Sequence, residues 1–312
     1  MYFPYFRGRQ YELIALRELA NKGLLGKSVF PVVEPVKITS TFNGTIDSFR
    51  SANLPIAIIA NPAVGEISKL KNAFDEISEV FIEKGNDGVT PMLLLTKNAQ
   101  TTMDSLVAKG ITKENIITHI YNQDFINLYQ VLFKSENPKY TLFPDERLIR
   151  RTVQQNKVLF GDRFKKKDRN ADYPEDEVFS DDHFYFQEEG FSGFGDYSII
   201  GNEYNESGYA PYAIAIHIVY FDDKNCKMLR IKHFVSDTNE DITDPAGKYF
   251  EAISKFADWY MNGQEWQKTT ALSIFYNHFK TGYYPGLPTI KKLSIMHHLE
   301  LMGKFLDGDF KK

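Results

Sequence analysis

The sequence has 312 residues, of which 43% are hydrophobic and 14% aromatic, and its formal charge at pH 7 is −4. A chain of this size and composition buries a large core, which excludes a disordered protein and allows one large domain or two small ones. The slightly negative charge means that binding to nucleic acid would require a local basic patch. Cys226 is the single cysteine, so an internal disulfide and a cysteine-rich zinc site are excluded.

No segment has the pattern of an export signal or a membrane span. The first residues contain no basic stretch followed by a long apolar run, and no run reaches the roughly 18 apolar residues that a membrane helix needs. We therefore expect a cytoplasmic protein with no membrane partner.

Short apolar segments recur along the first 221 residues, with helical patterns between the early ones. The predicted strands are 2–6, 29–36, 55–60, 91–96, 115–121, 140–144, 157–161 and 212–221. Most lack a clean polar alternation, which is typical of strands buried on both faces of a parallel sheet. The predicted helices between them are 10–23, 67–85, 101–110, 124–133 and 146–155.

This repeated strand and helix order predicts an α/β fold, a (β/α)8 TIM-barrel-like parallel barrel. A doubly wound open sheet remains the alternative, because one sequence does not reveal the strand order. We expect the barrel to span 1–240, with an insertion at about 163–210 before the last strand. A strand at 227–235 is expected to form a hairpin with 212–221. A helix at 244–263 and two later helices predict a C-terminal tail, 241–312, packed on the barrel.

The predicted insertion has three parts of different character. It runs from a basic stretch, 163–169, through an acidic one, 172–182, to the glycine-rich stretch GFSGFGDYSIIG, 190–201. The charged part, 163–189, is expected to be exposed and more mobile than the barrel, as a lid or docking loop. A phosphate-binding glycine loop opens a helix, whereas the residues after Gly201 have no helical pattern. A turn-rich segment is therefore favoured over a cofactor loop.

Charged and polar side chains follow the predicted strands at their carboxyl ends, where barrel enzymes place their active sites. The candidate ligand-binding residues are Arg7, Arg9, Lys37, Asn61 and Lys97, and the candidate catalytic residues are Glu34, Asp162 and Asp196. Asn122, Asp145, Glu146, Arg163 and His217 are further strand-end candidates. Such a mixture suits an anionic, phosphate-like ligand, with or without a divalent metal such as Mg²⁺ held by oxygen atoms. The alternative is that these residues are ordinary polar side chains of surface loops, or caps of the helices that follow, with no role in binding.

The histidines give weaker indications. His119 and His217 lie within apolar strands and are better interpreted as core groups than as ligands, and His233 could pair with Asp237. No G-x-S-x-G motif is present, which disfavours a serine hydrolase triad. His297 and His298 are adjacent and would diverge by about 100° on a helix, which disfavours a shared metal.

Several stretches carry a family resemblance. YFPYFRGRQYELIALREL, VFPVVEPVK and LPIAIIANPAVGE resemble the opening of the bacterial and phage "beta protein" family. The whole chain is most similar to a related bacterial family of about this length that is named by a locus tag, and the likeness extends through GFSGFGDYSIIG, AIAIHIVYF, LRIKHFVSD and AGKYFEAISKF. The resemblance implies a cytoplasmic protein encoded near mobile or phage-related genes, sometimes beside a second small gene whose product would be its partner. It implies no catalytic residues.

Two functions are consistent with these patterns. In the first, the barrel is a recognition component of a phage-defence or mobile-element system that binds a partner protein or an anionic ligand. In the second, it is a metal-assisted hydrolase, resembling a phosphodiesterase, that acts on a phosphate-containing substrate. The absence of a complete catalytic motif favours the first, and the mixed charges at the strand ends keep the second open.

Overall fold

The computed structural model describes residues 1–82, 88–205, 210–225 and 227–308. Eight parallel strands close into a barrel in the order β1-β2-β3-β4-β5-β6-β7-β9, which confirms the predicted barrel against the open sheet. These strands are β1 (Tyr2–Phe6), β2 (Val32–Val33), β3 (Ile56–Ile59), β4 (Val89–Leu94), β5 (Ile117–His119), β6 (Tyr140–Phe143), β7 (Lys157–Phe160) and β9 (Gly193–Asp196).

Seven helices accompany the barrel strands in the described part of the chain. They are α1 (Gln10–Asn21), α2 (Ser40–Ser51), α3 (Ala73–Ile82), α4 (Ala99–Ala108), α5 (Ile126–Leu132), α6 (Arg147–Thr152) and α7 (Asp182–Tyr185). The predicted helix 67–85 is instead a short 3-10 turn, Ile67–Lys69, followed by α3, and residues 83–85 of that prediction lie outside the described residues.

Helix α2 was not predicted, because its sequence contains Gly44 and several residues of low helix propensity. Two features stabilise it. The Thr39 side chain accepts a hydrogen bond from the amide of Phe42 and caps the first turn, while Phe42, Ile46 and Phe49 are buried. Burial of this apolar face outweighs the weak local preference.

The glycine-rich stretch contains the strand that closes the barrel, so the interpretation of it as a turn-rich insertion was wrong. Strand β9 pairs in parallel with β1 on one side and β7 on the other. A Cβ atom on Gly193 would lie 2.7 Å from the Met1 carbonyl oxygen, and one on Gly195 would lie 2.4 Å from that of Phe3. The two glycines are therefore required by the close approach of the first strand.

The predicted eighth barrel strand, 212–221, lies elsewhere. It forms β10 (Ala215–Asp222), which pairs antiparallel with β11 (Met228–Val235) and so confirms the predicted hairpin. Strand β11 also pairs antiparallel with β8 (Asp176–Ser180), a strand within the acidic segment that was predicted to be a loop. Helices α8 (Pro245–Met261), α9 (Thr270–Thr281) and α10 (Leu287–Asp307) confirm the predicted helical tail.

The chain divides into two compact units. The first comprises 1–162 and 182–197, and the second comprises 163–181 and 198–312. The predicted boundary at residue 240 thus falls inside the second unit, where α8 and α10 pack against the antiparallel sheet. Within the described ranges, no helix has the length and apolar character that a bilayer span requires.

Candidate functional site

A buried polar network lies at the carboxyl ends of β1 and β2. The Arg7 guanidinium forms an ion pair with the Glu34 carboxylate, and the Tyr5 hydroxyl donates a 2.6 Å hydrogen bond to the same carboxylate oxygen. The Tyr121 hydroxyl, beyond the end of β5, bonds in turn to Tyr5. Two of the predicted site residues, Arg7 and Glu34, are therefore brought together, and each satisfies the charge of the other.

Aromatic rings surround this network. The Tyr5 ring lies 5.0 Å from that of Tyr197, which follows β9, and 5.9 Å from that of Phe160 at the end of β7. The Arg7 guanidinium lies over the rings of Tyr5 and Tyr197, in the geometry of a cation–π contact. The local reason is strand alternation, which turns every second side chain of a barrel strand toward the interior.

His119, on β5, is buried among the same rings. It lies 4.1 Å from Tyr121 and 4.9 Å from Phe160, measured between ring centroids, and none of the described residues provides a hydrogen-bond partner for its Nδ1. Burial, and then the positive charge of Arg7, lower the pKa of His119 to about 3, so this ring is neutral at pH 7.

The tyrosines of the network stay protonated. Burial is the first cause that raises the pKa of Tyr121 to about 12, and the Glu34 charge is the second. Burial and Glu34 also raise the pKa of Tyr5. Burial opposes the charge on Arg7, but Tyr5 and Glu34 outweigh it and raise its pKa above the ordinary value. Tyr5, Tyr121 and Arg7 therefore keep their protons at pH 7 and act as hydrogen-bond donors in the network.

Glu34 also holds the loop that follows β3. Its second carboxylate oxygen accepts a 2.7 Å hydrogen bond from the backbone amide of Ala63. In the same loop, the Asn61 side chain donates to the carbonyl of Leu94 at 2.8 Å and accepts from its amide at 2.9 Å, which extends the pairing of β3 with β4. Asn61 and Glu34 therefore act together in positioning the β3 loop.

That loop forms one wall of a cavity of about 430 Å³ at the carboxyl ends of β3 and β4. The other wall comes from the start of α3 and the residues that precede α4. The lining residues are Ala60, Asn61, Pro62, Ala63, Ser68, Leu70, Lys71, Ala73, Phe74, Thr96, Asn98 and Thr102. Among the described residues, this lining includes one lysine and no carboxylate, so its formal charge is positive.

The other predicted cations lie apart from the buried network. Lys37 is exposed and forms a 3.1 Å ion pair with Glu66, also exposed. Lys97 is exposed one residue before Asn98, which lines the cavity. Arg9 begins α1 as its N-cap residue, and its backbone amide bonds to Glu12. Lys97 is thus beside the cavity, whereas Arg9 and Lys37 belong to other loops.

The predicted carboxylates are not brought together. Asp196 accepts a 2.8 Å hydrogen bond from the Tyr2 hydroxyl, and Phe194, two residues earlier, also packs on Tyr2. A Cβ atom on Gly195 would instead meet Phe160 inside the barrel. By alternation, Asp196 lies on the outer face of β9, so this candidate catalytic residue does not share a site with the candidate Glu34.

Asp162 is exposed after β7, and its negative charge is a minor contribution to the raised pKa of Tyr197, after burial and Tyr121. The candidate Asp145 forms a 3.3 Å ion pair with Arg150, and Asn122 caps the short turn that follows β5. Within the described ranges, no group of three or more His, Cys, Asp or Glu side chains has an arrangement that could hold a metal ion.

Two histidine interpretations also changed. His233 does not pair with Asp237, which forms an ion pair with Lys255, but contacts Glu177 and His217. His217 belongs to the antiparallel sheet of the second unit, so it is not a residue of the barrel.

The residues that sequence reasoning missed are Tyr5, Tyr121, Lys71 and Asn98. Tyr5 and Tyr121 were interpreted as apolar strand residues. Tyr5 could have been found, because it lies two residues before Arg7 and side chains two residues apart in a strand point to the same side. Lys71 lies ten residues beyond Asn61, and only the folded loop brings it to the cavity.

No protein-family model matches the chain, and no curated protein is similar enough in sequence to count as a relative.

Proposed function

We propose that this chain is a binding protein that takes an anionic ligand at the carboxyl-terminal face of its barrel, as the recognition component of a phage-defence or mobile-element system. The observation that carries the ligand-binding part is the cavity at the ends of β3 and β4, whose lining, in the part of the chain that the structure describes, has a lysine and no carboxylate. The family resemblance of the sequence supports the biological setting.

Two features contribute positive charge to this cavity. Lys71 is exposed at its rim, and no described residue forms an ion pair with it. The Ala99 amide donates to the Thr96 carbonyl, but the Asn98 side chain forms no capping hydrogen bond at the start of α4, so the amides of Gln100 and Thr101 are the first-turn donors left for a ligand. The partial positive charge of a helix N-terminus adds to that of the lysine.

The buried network supports binding rather than turnover. Its ion pair joins two buried side chains of the barrel, and Glu34 also accepts a hydrogen bond from the amide of Ala63 in the loop that forms the cavity wall. A preorganised wall reduces the ordering cost of binding a ligand. In this proposal Arg7 and Glu34 are positioning residues, and the ligand contacts Lys71, Asn98 and the cavity wall.

The test is a calorimetric titration of the full chain with inorganic phosphate at low salt. We expect weak binding that Lys71→Glu reduces at least tenfold, since that substitution reverses the charge at the rim. Lys69→Glu is the matched control, because Lys69 carries the same charge two residues away and does not line the cavity. Absence of phosphate binding, or equal loss in both variants, would refute the proposal.

A further inference from the structure

A second cavity, of about 200 Å³, lies within the second compact unit. A cavity of roughly 150 Å³ holds a benzene molecule, so this one accommodates a single six-membered ring with small substituents. Much of its wall is apolar, with Ile199 and Ile200 at the end of the glycine-rich stretch and Leu287 and Ile290 on α10. Such a wall favours a ligand with an aromatic or apolar body.

Ser294 provides a buried polar group without a protein partner in this wall. It lies one turn after Ile290 on α10, only 2% of its surface is exposed, and it lines the cavity. Its hydroxyl forms no hydrogen bond with any described residue, including the carbonyl of Ile290, which is the usual acceptor for a serine within a helix. Because burying a hydroxyl without a partner is costly, we expect this one to bond to a molecule in the cavity.

Three further uncharged polar residues line the same cavity. Nδ1 of His217 is 2.7 Å from Nδ1 of His233, so Nε2 is the ring nitrogen of His217 that remains for a ligand. Burial is the first cause that lowers the pKa of His217 to about 3, so this ring is neutral at pH 7. Asn170 donates to a backbone carbonyl and keeps its side-chain oxygen as an acceptor. The Tyr173 hydroxyl accepts from the amide of Lys167 and keeps its own proton as a donor.

The charged groups of the lining do not call for a charged ligand. Lys166 is paired at 2.6 Å with Glu203, and Lys291 is not without a partner either. Among the described residues, the lining includes no carboxylate. A neutral ligand with both donors and acceptors therefore fits best, and it satisfies Nε2 of His217 whichever of the two histidines donates the proton that they share.

We propose that this cavity binds a neutral six-membered heterocycle that carries amide groups on its edge, with the size and chemistry of a pyrimidine base. The flat faces of the ring would pack on the apolar wall. Its N–H and C=O groups would form hydrogen bonds with Ser294, Asn170 and Nε2 of His217. This site is independent of the barrel cavity, since its residues belong to the other compact unit.

The test uses uracil as the probe, titrated calorimetrically into the full chain at pH 7. We expect saturable binding that Ser294→Ala weakens about fivefold, as the loss of one hydrogen bond does. Because the Ser294 hydroxyl has no described partner, its removal should not lower the stability of the protein. Ser254→Ala is the matched control, since Ser254 is an exposed helical serine outside the lining, and it should change affinity less than twofold.

Two measurements on the wild-type chain do not depend on a variant folding. The ¹⁵N signal of Nε2 of His217 should move when uracil is added, and benzene, which has the same ring size but no polar groups, should bind more weakly than uracil. No uracil binding, benzene binding as tight as that of uracil, or equal effects of Ser294→Ala and Ser254→Ala would overturn this inference. Lys71→Glu should leave uracil binding unchanged, so failure of the barrel site would be recognised separately.

Discussion

A Cβ atom on Gly195 would lie 2.4 Å from the carbonyl oxygen of Phe3, closer than real contacts allow. Because Phe3 and Gly195 are neighbours in the pairing of the first and last barrel strands, a side chain at 195 would push these strands apart. We expect Gly195→Ala to lower the free energy of unfolding by about 3 kcal/mol or more, as severe overpacking does. Urea unfolding followed by circular dichroism measures this.

Gly44→Ala is the control for that substitution. Gly44 lies within α2, and a Cβ there would meet only the end of the Arg17 side chain, at an ordinary 3.6 Å. Alanine should stabilise the helix by about 0.5–1 kcal/mol. If both variants had similar stability, the role of Gly195 in barrel closure would be wrong.

The buried ion pair should dominate the stability of the barrel mouth. Glu34→Gln leaves the buried Arg7 guanidinium without its countercharge, which we expect to cost about 3–5 kcal/mol. Tyr5→Phe removes one hydrogen bond to the carboxylate and should cost about 1.5–3 kcal/mol. Chemical denaturation of both variants checks the order of the two effects.

The exposed pair Lys37–Glu66 provides the comparison, since Glu66→Gln should cost less than about 1 kcal/mol. Equal costs for Glu34→Gln and Glu66→Gln would contradict the buried character of the network.

His119 should make the barrel sensitive to acid. Its pKa is lowered from 6.5 to about 3 by burial and by Arg7, so below about pH 6.5 the unfolded chain binds a proton that the folded chain does not. Its contribution is complete above that pH and is lost as the pH falls toward 3, by about 1.4 kcal/mol per pH unit. Between about pH 6 and pH 4, the free energy of unfolding of His119→Phe should therefore decrease less steeply with falling pH than that of the wild type, by about 1.4 kcal/mol per pH unit. Parallel curves for the two proteins would show that His119 does not titrate in this way.

The hydroxyl of Thr269 is expected to stabilise the second unit in two ways, as the cap of α9 and as a hydrogen-bond partner of His297. It accepts from the amide of Leu272 at the start of α9, and it lies 2.9 Å from Nδ1 of His297. Nε2 of His297 is 2.7 Å from the Val219 carbonyl, which only accepts, so Nδ1 must accept the Thr269 proton. Thr269→Val should cost about 2–3 kcal/mol by removing a helix cap and a buried hydrogen bond. Thermal unfolding should show that Thr269→Ser, which keeps the hydroxyl, retains most of the stability.

The barrel strands that are continuous apolar runs could be predicted from the sequence. The bounds of strands such as β3 and β4 were predicted to within two residues, because a strand that is buried on both faces is a nearly continuous apolar run in the sequence. Strand β9 was not predicted, because its sequence GFGD has low β propensity. Its extended conformation depends on pairing with β1 on one side and β7 on the other. The eighth position was then assigned to 212–221, whose strong β pattern serves a different sheet.

The candidate site was predictable only in part, for a related reason. Arg7 and Glu34 follow directly after strands, so their positions depend on the strand ends alone. The side of β9 on which Asp196 lies depends on a register that no local pattern reveals. Lys71 reaches its cavity through a long loop whose path is set by contacts such as that between Glu34 and Ala63.

The chain passes from one compact unit to the other three times, and this order has a consequence during synthesis. All barrel strands have been made once residue 196 has left the ribosome, but β8 still lacks its partner, since Asp176 and Arg230 are 54 residues apart. Translation delivers the N-terminal part first, so the barrel is able to close while the edge of β8 is exposed. An unpaired strand edge invites association with other chains. Slow translation of the segment between β9 and β11 should therefore raise aggregation of the nascent protein without any change in its final stability.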